Sequence, residues 1–157
     1  MESESFELKG LDAIMKKLGA LKGAPRSKAA KFALRKGAKI VMKAAQVKAD
    51  RFDDPLTPEN VSLNVDIRFG SRYYKATGDL MYRVGVKGGA VLADKSKDEA
   101  ANQPTPYWRL KEFGVPSLGI PAEPFMRPAL EENIELVTNT FMSEFNKKID
   151  RIIKRGS

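Results

Sequence analysis

The apolar residues of this chain change period twice, and that sharply limits the folds open to it. In residues 27–51, Ala30, Ala33, Leu34, Gly37, Ile40, Val41, Ala44 and Ala45 share one side of a 3.6-residue wheel. Lys28, Lys31, Arg35, Lys39 and Lys43 gather on the other side. From Val61 the period falls to two: Val61, Leu63, Val65, Ile67 and Phe69 alternate with Ser62, Asn64, Asp66 and Arg68. That is the mark of a strand with one buried face. Beyond Pro128 the helical period returns, with Leu130, Ile134, Val137, Phe141, Phe145, Ile149 and Ile152 in one stripe. Helix, then strands with short polar connections, then helix predicts an α+β fold with an antiparallel sheet.

The remaining elements fit that frame. Leu8, Leu11, Ile14, Met15, Leu18 and Leu21 predict a short amphipathic helix over residues 7–22, broken at Gly23-Ala-Pro25. It pairs with the helix of 27–51, which Ser27 is placed to cap, as a helical hairpin over 7–52. Asp53-Asp54-Pro55 ends the second helix. Strands are expected at 61–69, 80–87 and 107–113, making a small sheet over 61–113. Residues 87–106 are polar and bounded by Gly and Pro, as a long mobile loop or a protruding hairpin would be. A long C-terminal helix over 128–154 packs on one sheet face. Glu131, Glu132 and Glu135 suit its positive N-terminus, and Lys147, Lys148, Arg151, Lys154 and Arg155 its negative end. The expected architecture over 1–157 is one domain.

Composition removes most chemistry. The 157 residues contain no cysteine and no histidine. Disulfides, thiolate nucleophiles, Cys/His zinc sites and imidazole acid–base catalysis are therefore out of reach. Asp53-Asp54 and Glu131-Glu132 read as a turn and a helix start, so no paired-carboxylate hydrolase and no cofactor are expected. Gly85-Val-Lys-Gly-Gly89 lacks the spacing of a phosphate-binding loop and reads as a hairpin turn. Tyr73, Tyr74 and Trp108 read as packing residues. No apolar run spans a bilayer, and the acidic start Met1-Glu-Ser-Glu carries no secretory pattern, so a cytoplasm-like compartment is expected.

The most distinctive stretch runs from Tyr107 to Leu130. Prolines at 121, 124 and 128 bias Ile120, Glu123 and Arg127 toward extended backbone, and Pro128 suits a first helical position. The result is a stiff arm presenting Phe125 and Met126, either as an anchor that loses little entropy on docking or, for Phe125, as an aromatic entering the core ahead of the helix. Arg127 beside it can bind a carboxylate on its own chain or on a neighbour. Glu112, Phe113 and Gly114, at a strand end, complete this candidate interface with Phe125, Met126 and Arg127.

The combination Glu112-Phe113-Gly114 … Pro124-Phe125-Met126-Arg127-Pro128-Ala129-Leu130 resembles the tail-component proteins of long-tailed bacteriophages, variously called neck, minor tail or tail-completion proteins. A weaker echo lies at 55–63, where that family has Thr-Gly and this chain has Thr57-Pro58. The resemblance implies a structural virion protein of the head–tail junction, assembled in the host cytoplasm. It implies a homo-oligomeric ring of about six or twelve copies that meets the tail tube or tail terminator and the head-closure or connector proteins. Enzymatic activity is not implied. A different class stays open: a free basic nucleic-acid-binding protein using Lys28, Lys31, Arg35, Lys39 and Lys43. The formal net charge of +8 would draw phosphates, including DNA passing through such a joint, or an acidic ring partner.

Overall fold

The computed structural model describes residues 24–54, 56, 59–87 and 104–156. The helix expected over 7–22 and most of the loop expected over 87–106 lie outside the described residues.

A row of small residues organises the molecule. Helix α1 (Ala24–Ala49) buries Ala29, Ala33, Gly37, Val41, Ala45 and Ala49 at a constant spacing of four. Such a row winds slowly round the helix, so its two ends face different neighbours. Ala29 and Ala33 pack with Phe145 and Ile149, while Val41, Ala45 and Ala49 pack with Val61, Val65, Phe125 and Ala129. Ser27 lies inside the helix, one turn in, and therefore does not cap it as expected. Pro25 sits in the first turn, where its missing amide hydrogen has no partner to lose.

Residues Val61–Asn64 form one helical turn, α2, instead of the start of a strand. The cause is Asp53, whose Oδ1 and Oδ2 accept hydrogen bonds from the amides of Val61 and Ser62, each at 2.7 Å. A carboxylate held across the start of a turn satisfies amides that a strand would have used in a ladder. The alternation is consequently broken: Val61 and Val65 are buried as expected, but so are Ser62 and Asn64, while Leu63 is 66% exposed.

Strands β1 (Val65–Phe69) and β2 (Tyr82–Val86) pair antiparallel, from Val65 opposite Val86 to Phe69 opposite Tyr82. Helix α3 (Ser71–Thr77) joins them and stops on Gly78, whose φ of 80° is left-handed. The described sheet has two strands, not three. The segment expected as the third is helix α4 (Trp108–Phe113). Arg, Leu, Lys and Glu are good helix formers, and a helical turn puts Trp108 and Glu112 on the same inward face while Arg109, Leu110 and Phe113 face out.

The C-terminal helix is interrupted. Helix α5 (Met126–Glu131) is separated by Glu132 and Asn133 from α6 (Ile134–Gly156). Pro128 is the third residue of α5, where an amide is likewise not needed, and Arg127 is helical despite preceding a proline. At the break, the Asn133 side chain donates to the Ala129 carbonyl at 3.0 Å, and Lys48 bridges to Glu132 at 2.7 Å. Helix α6 lies antiparallel along α1, as the paired contacts require; α1, not the sheet, is its chief partner. Leu130 and Ile134 are exposed, so the stripe is buried only from about Val137 onward.

The two long helices approach closely at Gly37. A Cβ there would sit 3.0 Å from Val137 Cγ1 and 3.5 Å from the Val137 carbonyl oxygen. A methyl group needs a small shift that improved helix propensity offsets, but a large side chain has nowhere to go. Gly37→Leu is expected to destabilise by about 1–3 kcal/mol in urea unfolding, with Gly37→Ala close to neutral.

Candidate functional site

Phe125 is the core's central aromatic. It is fully buried and meets Phe52 edge-on, with ring centroids 5.5 Å apart, and Trp108 at 6.5 Å. The expectation of an exposed Phe125 anchor is therefore corrected: the anchor points inward. Met126 follows it to the core margin. The proline-paced arm has a definite shape, but it delivers its aromatic residue to the protein's own interior.

What holds the arm is Glu112. Its carboxylate is 1% exposed and accepts four hydrogen bonds at the start of α5. Oε2 takes the amides of Phe125 and Met126 at 2.8 and 2.9 Å; Oε1 takes the Arg127 amide at 3.2 Å and Arg127 Nε at 3.1 Å. Arg127 Nη2 donates in turn to the Glu112 carbonyl at 3.1 Å. Phe125, at the N-cap position of α5, has no side-chain acceptor of its own. A residue from another helix thus supplies the cap, as Asp53 does for α2. Burial pushes the Glu112 pKa up, but the amides of Met126, Phe125 and Arg127 and the Arg127 side chain pull harder and leave it below the ordinary carboxylate value.

Gly114 makes the turn out of α4 possible. Its φ is 68°, and a Cβ would lie 2.7 Å from the Ala122 nitrogen and the Ile120 carbonyl oxygen. The chain then forms a tight excursion in which Val115 and Ile120 exchange backbone hydrogen bonds of 2.9 and 3.1 Å around the 3-10 turn Pro116–Leu118. The Glu123 amide returns to the Lys111 carbonyl at 2.7 Å. So Glu112 and Gly114 work inside the fold, whereas Phe113, 59% exposed, faces out beneath the Arg127 guanidinium at 5.4 Å.

Apolar side chains that periodicity could not single out surround Phe113 along the chain. Leu110 lies one turn earlier on α4, and Leu118 and Ile120 lie on the excursion, Leu118 being 72% exposed. A further tie fixes the other end of α4: the Tyr107 hydroxyl donates to the Glu59 carbonyl, and partial burial, Asp53 and Glu59 keep that phenol above its ordinary pKa and so protonated. The candidate electrostatic face is solvent-exposed throughout: Lys28, Lys31, Arg35, Lys39 and Lys43 all face water. Among the described residues no group of carboxylates could hold a metal ion, and no helix is long and apolar enough to cross a membrane.

This arrangement has the character of an assembly part: a structurally supported apolar edge and a basic helix face. The family described as "Bacteriophage HK97-gp10, putative tail-component" matches residues 12–114. The chain belongs to this HK97-gp10-like family of phage tail components, whose role is structural and whose place is the virion. No curated protein and no solved structure matches significantly. The match takes in Glu112, Phe113 and Gly114 and stops before the Pro121–Leu130 part of the pattern.

Two outcomes follow from the cap. Because the folded-state pKa of Glu112 is depressed, its contribution is fully present above the unfolded value of about 4.3 and is lost as pH falls through the folded one. Urea unfolding should show Glu112→Gln less stable than wild type by about 2–3 kcal/mol at neutral pH. That gap should narrow below about pH 4. Gly114→Ala is expected to cost about 1–3 kcal/mol at any of these pH values, since its strain is steric.

Proposed function

We propose that the chain is a ring-forming component of the head–tail junction, which completes the tail and helps join it to the head. Its family membership supports a structural tail role. The single observation that carries the finer reading is the apolar edge of Leu110, Phe113, Leu118 and Ile120. It is exposed, yet held by a buried carboxylate cap and a turn that tolerates only glycine. Large apolar side chains that a fold positions firmly and leaves in water are characteristic of association surfaces.

A heterologous contact between this edge and a different surface of the next copy closes by rotation into a ring. In such a ring Arg127 and Phe113 belong to the contact, while Glu112, Gly114, Phe125 and Met126 shape it from within. Tail tube or terminator on one side and head-closure proteins on the other are the partners this position requires, met during assembly in the host cytoplasm. No step of this role needs bond chemistry.

The test is Phe113→Asp combined with Leu118→Asp. Both sites are exposed, so the melting temperature should stay within a few degrees of wild type. Light scattering and electron microscopy should find wild-type rings, free or on isolated tail tubes, and an unassembled double variant. A double variant that decorates tail ends as wild type does would remove this edge from the assembly, and a wild-type protein that never associates with tails would end the joining role.

A further inference from the structure

The outer face of the β1–β2 hairpin carries an arrangement that the fold does not need. Arg68 and Arg83 are directly opposite each other in the register, on the face turned away from α1. Like charges in directly opposed cross-strand positions destabilise a sheet. Neither arginine has a carboxylate partner among the described ion pairs, so none of those pairs relieves the repulsion. Arg72, at the start of α3, and Lys87, just beyond β2, line the same concavity, which has a volume of about 450 Å³. Among the described residues Asp66 is the one acidic side chain in its wall, and one of its oxygens already accepts the Ile67 amide at 2.7 Å.

The floor of this concavity is open at Gly85, which stands opposite Asp66 in the register. A Cβ on Gly85 would meet nothing within 4 Å. Packing does not require glycine there, but an unobstructed basic hollow does.

We infer that this hollow binds the phosphate backbone of nucleic acid, with Arg68, Arg83, Arg72 and Lys87 as its contacts. Guanidinium groups match phosphate oxygens with paired hydrogen bonds, and bound phosphate converts the repulsion between Arg68 and Arg83 into shared attraction. The alternative occupant, an acidic protein, fits less well. Protein interfaces surround their charges with an apolar core, whereas the large apolar side chains exposed on the adjoining α3 are two tyrosines, Tyr73 and Tyr74, whose rings suit bases as well as protein. The site is separate from the apolar edge proposed for ring contacts and does not depend on that role.

The test is fluorescence anisotropy with a labelled DNA duplex over a range of salt, using the full chain. Arg68→Gln with Arg83→Gln should weaken binding by about tenfold or more near 0.1 M salt and lower the slope of log affinity against log salt by about two. The comparison is Lys39→Gln with Lys43→Gln, which removes the same charge from α1 and should lose clearly less. The hairpin variant should also melt at or above the wild-type temperature, since it removes a repulsion, which separates lost binding from lost folding. Equal losses in the two variants would mean diffuse attraction by net charge and would overturn the site. So would wild-type binding by the hairpin variant, or displacement of DNA by polyglutamate at a lower charge concentration than by competitor duplex.

Discussion

The structure depends on one carboxylate. Glu112 is drawn out of water, an arrangement that costs several kcal/mol for an unpartnered ion. It is stable because three successive amides and a guanidinium converge on it. The same bonds decide where α5 begins, which way Phe125 turns, and how the chain between 114 and 124 is folded back. Removing the charge leaves those amides without acceptors and Phe125 without a reason to enter between Phe52 and Trp108.

A second constraint acts along α1. Its row of alanines and one glycine gives up side-chain burial in exchange for proximity, letting α6 run against it and letting Val61, Val65 and Ala129 reach the far end. The cores at the two ends of this helix are distinct, with Gly37 and Val137 at the crossing. The hairpin rests on α1 as well, tied by the Gln46 side chain, which donates to the Val65 carbonyl at 3.1 Å. Helix α1 is the common support, and the remaining elements are arranged around it.

Much of this was legible in the residues. The helical period gave α1 and α6, because those helices bury a face in proportion to their pattern; the alternation gave β1, and the turn residues Gly78-Asp79 set off β2. The failures share a cause. Val61–Asn64 alternates like a strand, but Asp53 claims its first two amides from a distance. Residues 107–113 look like an aromatic strand, but the inward pair is Trp108 with Glu112, a helical spacing whose buried member is a carboxylate. In both places a carboxylate bonds to amides distant in the chain, Asp53 to those of 61–62 and Glu112 to those of 125–127, and no local window contains both partners. The pattern around Glu112 and Arg127 was visible as a motif, and the pairing of the two within one chain was among the options it left open. The direction of Phe125 was not visible, since a proline-paced aromatic is equally compatible with an exposed or a buried ring. Leu110, Leu118 and Ile120 carried no periodic signal because they sit on a one-and-a-half-turn helix and a tight excursion.

The family match ends two residues after Glu112, yet the amides that this carboxylate serves lie thirteen to fifteen positions further along. The matched segment is thus not a self-sufficient unit to which an arm has been attached. It carries half of a joint, an acceptor with no purpose until residues 125–127 arrive. Any chain that keeps such a glutamate must supply three donors from whatever follows, and this demand falls on backbone, which every sequence possesses. The path of the region beyond the match is therefore dictated by a residue inside the match, with the Arg127 side chain and the buried Phe125 completing the joint.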